Sequence, residues 1–508
     1  MRSKNAVKNL MLHFGYEVFV FALGMIFPRF IILAYGSEIN GLTATITRIL
    51  SLINLIQAGA VGAAIYQMYK PVAENDYETQ SAILYASRRF YNRITIVYFA
   101  VAIIAGVCYS FRLQSETFGF VEIFLAFLIL VINGSGALLF NSICDIYVSS
   151  HQKKYYLTAA MFCEQIVRYI FLTVALILRL HFLCIYVAYL LGGITCVSVN
   201  LYLYKKLSKG KIVSNPKNKE YVIPDRKYLM MSSVGSEAVT ASPSIIITSF
   251  VSLAASSVFS VYAMVFTSMK TVLNSIQLSF SAIFGNLVKT SDDVHIKDVY
   301  STIEYITIAM GAVVSTCVAF LLIPFIELYT AGITDAEYLH VLLVFFVVAY
   351  TVVFSFRTSF AYLATVYGLF KQTCKITLFF GITGIIISVL CVIFAGMPYV
   401  MCGLLYNQLG CAISTLYIIK KHIRWYDMVP LIRRTFTMSL VVISAIVLYF
   451  ILTPVVASWL SWIIYGAIVF VLATILWLLY SILFERKILK NIVSYGKSLL
   501  AKRKKRIN

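Results

Sequence analysis

A chain of 508 residues that is 61% hydrophobic and only 12% charged, with a mean hydropathy of +0.87, is too apolar for a soluble domain, where about a quarter of residues are charged. Its net charge of +21 does not mark a nucleic-acid binder, because the basic residues scatter over many short loops and form no recognisable domain. An all-α polytopic membrane protein remains, since the alternating strands of an outer-membrane barrel are absent and helices satisfy their own backbone in lipid.

About 20 apolar residues cross the roughly 30 Å hydrocarbon layer as a helix, which predicts about 14 transmembrane spans. The first six lie near 10–34, 41–68, 94–112, 119–142, 156–178 and 182–204. The next six lie near 229–252, 255–284, 300–325, 339–366, 374–395 and 398–419, and a last pair near 435–453 and 459–484. Basic residues collect in cytoplasmic loops. With the N-terminus inside, nearly all of the 42 Lys and Arg fall on inner segments, and only Arg112 and Arg179 lie outside. Both termini are therefore expected in the cytoplasm. The first span is too long for a signal peptide, carries Glu17 and Arg29, and lacks a small-residue cleavage site, so it reads as a retained helix.

The longest polar interruption, 205–227, divides the chain. The expected organisation is a six-helix lobe over 1–208, a cytoplasmic linker over 209–227, and a second six-helix lobe over 228–425. Helices 13 and 14 with a basic cytoplasmic tail fill 426–508. A short echo, Ala64-Ile65-Tyr66 ending span two and Ala282-Ile283-Phe284 ending span eight, fits a parallel repeat about an axis along the membrane normal. Outer connections are short, the inner ones are too small for a nucleotide-binding domain, and no GxxxxGK[ST] loop occurs. Transport powered directly by ATP within this chain is not expected.

Five cations fall inside spans: Arg29, Arg48, Arg168, Lys270 and Arg357. Each costs a few kcal/mol in the hydrocarbon core unless it meets a partner or a watery cavity. Glu164 lies one turn before Arg168, so these two form a self-neutralising structural pair. Arg48, Lys270 and Arg357 have no acid at i±3 or i±4. They read as lining an electropositive cleft between the lobes, suited to phosphate or pyrophosphate. Arg29, after Pro28 near the outer end of span one, either joins them or snorkels to the interface. Glu17 and Glu237, on the equivalent spans one and seven, are candidates to carry a proton or sodium ion, or simply to neutralise nearby cations. Span ten surrounds Arg357 with Tyr350, Phe354, Phe356, Phe360 and Tyr362; rings beside a cation suit a sugar phosphate, although helix packing accounts for most of them. Spans thirteen and fourteen carry no buried charge in this reading and are expected to face lipid.

The ten cysteines never form CxxC and read as small apolar fillers, neither metal ligands nor disulfides. His13, His340 and His422 suggest no metal site. No catalytic residues and no cofactor are expected.

The stretch from Gly41-Leu42 through Ala58-Gly59 and Ala64-Ile65-Tyr66 to Met68-Tyr69-Lys70-Pro71-Val72-Ala73-Glu74-Asn75-Asp76 resembles the second helix and following loop of bacterial O-antigen and capsule repeat-unit flippases. These belong to the multidrug/oligosaccharidyl-lipid/polysaccharide exporter superfamily, and the span plan extends the resemblance over nearly the whole chain. The resemblance implies two V-shaped six-helix lobes in the bacterial cytoplasmic (inner) membrane. It implies alternating-access export of an undecaprenyl-pyrophosphate-linked oligosaccharide, with membrane lipids and polysaccharide assembly proteins as partners. Related lipid II flippases place cations on helices one, two and eight, the spans that carry Arg29, Arg48 and Lys270 here; Arg357 rests on its own position. Outward flipping also fits the membrane potential, which favours an anion leaving a negative-inside cell by about 2.3 kcal/mol per charge per 100 mV. A drug or cation antiporter of the same superfamily is the alternative, although it would want a cleft dominated by carboxylates. A membrane polysaccharide polymerase or acyltransferase lacks its expected large outer loop or buried catalytic His.

Overall fold

A computed structural model describes residues 2–57, 60–113, 118–209, 212–213, 226–290, 292–452, 456–486 and 488–489. Most of the expected linker and the basic tail lie outside the described residues. The described chain is all-helical. Its α-helices are α1 (Arg2–Tyr35), α2 (Ser37–Ile53), α3 (Ala60–Glu74), α4 (Tyr77–Leu113), α5 (Phe120–Gly136), α6 (Ser142–Ser150), α7 (Tyr155–Ile177) and α8 (Leu183–Ser208). After the linker come α9 (Arg226–Phe250), α10 (Leu253–Thr290), α11 (Asp293–Tyr329), α12 (Val341–Val366), α13 (Phe370–Ala395), α14 (Val400–His422), α15 (Val429–Leu452) and α16 (Trp459–Phe484). Among the described residues, 13 helices are long and apolar enough to cross a membrane. The protein is a multi-pass, all-α membrane protein.

Two expected spans are not continuous α-helices. Span two breaks after Ile53 into a 3₁₀ turn, Asn54–Gln57, before α3. Span four carries a π-helical turn, Ala137–Asn141, between α5 and α6. Such turns are uncommon inside helices and recur at functional sites. Span thirteen starts earlier than its apolar run suggested: the Asp427 carboxylate accepts the Val429 N–H at 3.0 Å, and Pro430 occupies the first turn, where its missing donor costs nothing.

The chain forms two compact units, Met1–Ser260 and Val261–Asn508. In the first, Leu42, Ile46, Tyr98, Ile123, Phe127, Ile185 and Tyr186 belong to one buried core, while Ala64, Met68, Ile83, Tyr91 and Ile146 build a second. In the second, α11 is the central helix, buried along most of its length, and it packs against α12, α15 and α16. The outward faces of α13, α15 and α16 carry exposed large apolar side chains such as Ile386, Phe436 and Ile463, as a lipid-facing surface requires.

Candidate functional site

In the second unit two of the sequence-selected cations meet on one aromatic–amide cluster. Lys270 on α10 sets its Nζ 5.8 Å from the centre of the Phe354 ring on α12. Phe354 stacks on Tyr350 one turn away, with ring centroids 6.2 Å apart. Phe266, one turn before Lys270, touches Tyr350 at 5.4 Å. The buried Gln408 of α14 donates its Nε2 to the Tyr350 hydroxyl at 3.1 Å, and its Oε1 accepts from Arg357 at 2.8 Å. Positions 350, 354 and 357 share one helix face by their 3.6-residue period, which is why α12 presents both rings and the guanidinium together. The amide of Gln408 is neutral and leaves the guanidinium charge intact. Rings beneath an ammonium add about 0.5–2 kcal/mol by cation–π attraction. Of the aromatics flagged around Arg357, Tyr350 and Phe354 belong to this site, whereas Phe356 packs edge-on to Phe360. Gln408 was not singled out, although the polar pair Asn407-Gln408 inside an apolar span was a visible signal.

In the first unit the half-buried Arg48 of α2 lies within electrostatic reach of Glu237 on α9. Arg29 is half-buried on α1 and is engaged by a neighbour. Glu17 pairs with His13 one turn earlier at 3.7 Å, so Glu17 and Glu237 have different partners. Arg168 forms an ion pair with Glu164, donates to Gln165 at 3.2 Å and lies 4.5 Å from the centre of the Tyr189 ring.

A ladder of small polar side chains ties α2 to α9 and to the start of α10. Asn40 donates to Ser257 at 2.8 Å and to Ser260 at 3.0 Å. Thr45 meets Thr248 at 2.6 Å and Ser256 at 3.1 Å, and Arg112 of α4 donates to the Ser249 carbonyl at 2.6 Å. Gly41 permits this approach, because a Cβ there would sit 1.9 Å from the Leu253 carbonyl oxygen. The ladder explains why residues up to Ser260 pack with the first unit, whereas the polar interruption divides the chain near 208 and 227.

A cavity of about 600 Å³ opens beside both irregular turns of the first unit, lined by Asn54, Gln57, Asn141, Asp145, Glu164 and Asn200 among others.

One charged cluster escaped the sequence reading. Arg434, 1% exposed, donates to Glu304 Oε1 at 2.7 Å and to Glu485 Oε2 at 3.1 Å. It also reaches the Ser301 carbonyl at 3.2 Å and hydroxyl at 3.1 Å, and Arg433 pairs with the same Glu485. The expectation of no buried charge on spans thirteen and fourteen is thereby corrected. Arg434 lies inside α15, which begins at Val429, and not in an inner loop ahead of a span near 435–453.

The fold is similar to that of several solved transporters. One is the "Lipid II flippase MurJ, inward closed conformation", with a TM-score of 0.69 at 15% identity, covering 94% of this chain and 100% of that one. An inward-facing multidrug resistance MATE family transporter of the MOP superfamily gives 0.66 at 12% identity, over 78% of this chain and 94% of that one. The eukaryotic MATE transporter AtDTX14 gives 0.52 at 13% identity, over 85% and 100% respectively. No protein-family model and no curated relative matches the sequence. At such identities the likeness is one of fold: this polytopic helical membrane protein has the fold of MOP superfamily transporters.

Proposed function

We propose that the protein is a flippase that moves an undecaprenyl-pyrophosphate-linked oligosaccharide repeat unit from the inner to the outer leaflet of the bacterial cytoplasmic membrane by alternating access. The observation that carries this reading is Arg357, a guanidinium within a membrane helix whose hydrogen-bond partner is the neutral Gln408 amide, in one cluster with Lys270. A guanidinium and an ammonium in one cluster supply a field for a phosphate-bearing headgroup, Arg as a planar fork and Lys as a point charge. The fold shared with a lipid II flippase supports a lipid-linked anionic substrate. In this reading Arg29, Arg48, Lys270 and Arg357 bind the substrate, the two-lobe organisation and cytoplasmic termini hold, and Glu17 and Glu237 tie transport to a proton or sodium gradient.

Arg48→Ala and Lys270→Ala are expected to abolish surface glycan and to accumulate lipid-linked oligosaccharide inside, with protein levels in the membrane unchanged. Normal export by both variants contradicts the assignment. In the same assay, Glu17→Gln and Glu237→Gln should change the response to imposed proton and sodium gradients; an identical response removes them as coupling sites.

A second reading, a drug or cation antiporter, draws on the likeness to MATE transporters and on the polar cavity of the first unit, where Asp145 and Glu164 supply carboxylates. Drug resistance on expression, with surface glycan unaffected, favours it over the flippase.

A further inference from the structure

A groove of about 450 Å³ in the second unit lies where α14 ends and α15 begins. Both helices are long and apolar enough to cross a membrane. The groove therefore sits at the edge of the apolar layer, on the side that the basic-residue bias assigns to the cytoplasm. Three cations from three places line it: Lys297 in the second turn of α11, Lys420 in the last turn of α14, and Arg424 in the loop that follows. None of the three forms an ion pair among the described residues. Two carboxylates share the groove. Asp427 is committed to the start of α15, where it accepts the Val429 N–H at 3.0 Å. Asp293 stands in the first turn of α11, where the helix dipole favours an anion, and lies within electrostatic reach of Tyr367. Positive charge is left in excess.

The groove is set before any ligand arrives. The Trp425 indole donates to the Tyr367 hydroxyl at 2.9 Å, and the rings of Trp425 and Tyr426 both pack edge-on to Tyr300 of α11, at 5.5 and 5.6 Å. These contacts hold the α14–α15 loop against α11, so little backbone ordering is left for binding to impose. An apolar path leads away from the charges. Val429 lines the groove and starts a run of exposed apolar side chains, continued by Ile432, Phe436, Leu440 and Ile443. Steps of three and four residues keep that run on one face of α15. A soluble phosphate or an acidic peptide would use the charges and leave the apolar face unused. A phospholipid uses both.

We propose that this groove binds the phosphate headgroup of an anionic phospholipid of the inner leaflet, whose acyl chains lie along the exposed face of α15. Lys297 and Lys420 act as point charges on the phosphate oxygens, and Arg424 offers its planar fork. Trp425 takes the interfacial level that indoles favour. Basic pockets between membrane helices on the cytoplasmic side recognise anionic headgroups by the same chemistry. The bound lipid ties the start of α11 to α14 and α15, and it does so whatever cargo the protein moves.

Native mass spectrometry of the full chain, titrated with dioleoylphosphatidylglycerol, tests this. That lipid should bind more tightly than dioleoylphosphatidylcholine, and glycerol phosphate at equal concentration should not displace it. Each of Lys297→Gln, Lys420→Gln and Arg424→Gln should weaken phosphatidylglycerol binding about fivefold, and the triple variant about 100-fold. All three side chains are exposed, so folding is kept. The double variant Lys205→Gln, Lys206→Gln, in the basic last turn of α8, is the control and should bind as the unaltered protein does. Equal weakening in the control and in the triple variant overturns the proposal, because general surface charge then accounts for binding. So does equal affinity for the two lipids, or displacement by glycerol phosphate.

Discussion

Arg357 and Arg434 are both helix-borne guanidiniums in the second unit, yet their surroundings differ in kind. Arg434 is nearly sealed, with carboxylates from α11 and from beyond α16 cancelling its charge. Arg357 is half-buried and bonded to a neutral amide beside an aromatic pair. A buried charge with carboxylate partners holds helices together, because the cost of desolvation is met within the protein. One with neutral partners keeps a field that an external anion can answer. Partner chemistry, more than depth, separates scaffold from site.

The sharpest way to break this comparison is to remove each guanidinium in turn. Arg434→Ala leaves Glu304 and Glu485 buried beside each other with their main counterion gone, and breaking such a pair typically costs about 3–5 kcal/mol. Little folded protein is expected by fluorescence-detected size exclusion, and thermal unfolding of what remains should fall steeply. Arg357→Gln removes one charge-assisted hydrogen bond to an amide, about 1.5–3 kcal/mol at most, so the melting curve should move less than in Arg434→Ala while export falls to background. If Arg357→Gln destabilises as much as Arg434→Ala and export persists in the folded fraction, the division between scaffold and site fails.

The same contrast explains what could be read from the sequence. Spans were legible because lipid demands long apolar runs, and their positions agree with the observed helices. Arg48, Lys270 and Arg357 stood out because each is a lone charge in such a run, with no acid one turn away. Arg434 did not, since it sits beside Arg433 at the edge of a polar loop and its carboxylate partners lie 130 and 51 residues distant. Asp427 and Pro430, a helix-start signal, would have placed it inside α15. The breaks after Ile53 and around Ala137 carried a local signal in Asn54, Gln57 and the Asn133-Gly134-Ser135-Gly136 run, but such residues are also tolerated in continuous membrane helices and did not by themselves mark an interruption. Gln408 and Glu237 gain their meaning only from neighbours on other helices.

The smallest expected effect sharpens the comparison at an intermediate case. Arg168 and Glu164 share one helix and neutralise each other, which resembles Arg434 in charge balance, but Glu164 also lines the polar cavity of the first unit. An i,i+4 pair contributes only about 0.3–0.5 kcal/mol when exposed, and somewhat more where it is shielded as here. Arg168→Gln alone strands the Glu164 carboxylate next to the buried Cys196, so it should lower the unfolding temperature more than the Glu164→Gln, Arg168→Gln double variant does. The double variant should export normally, because a pair without net charge offers nothing to an anionic headgroup. Loss of export in the double variant, with folding intact, would move this pair from scaffold to machinery. It would also favour the cation-coupled reading, since the cavity carboxylate and not Arg48, Lys270 and Arg357 would then govern transport.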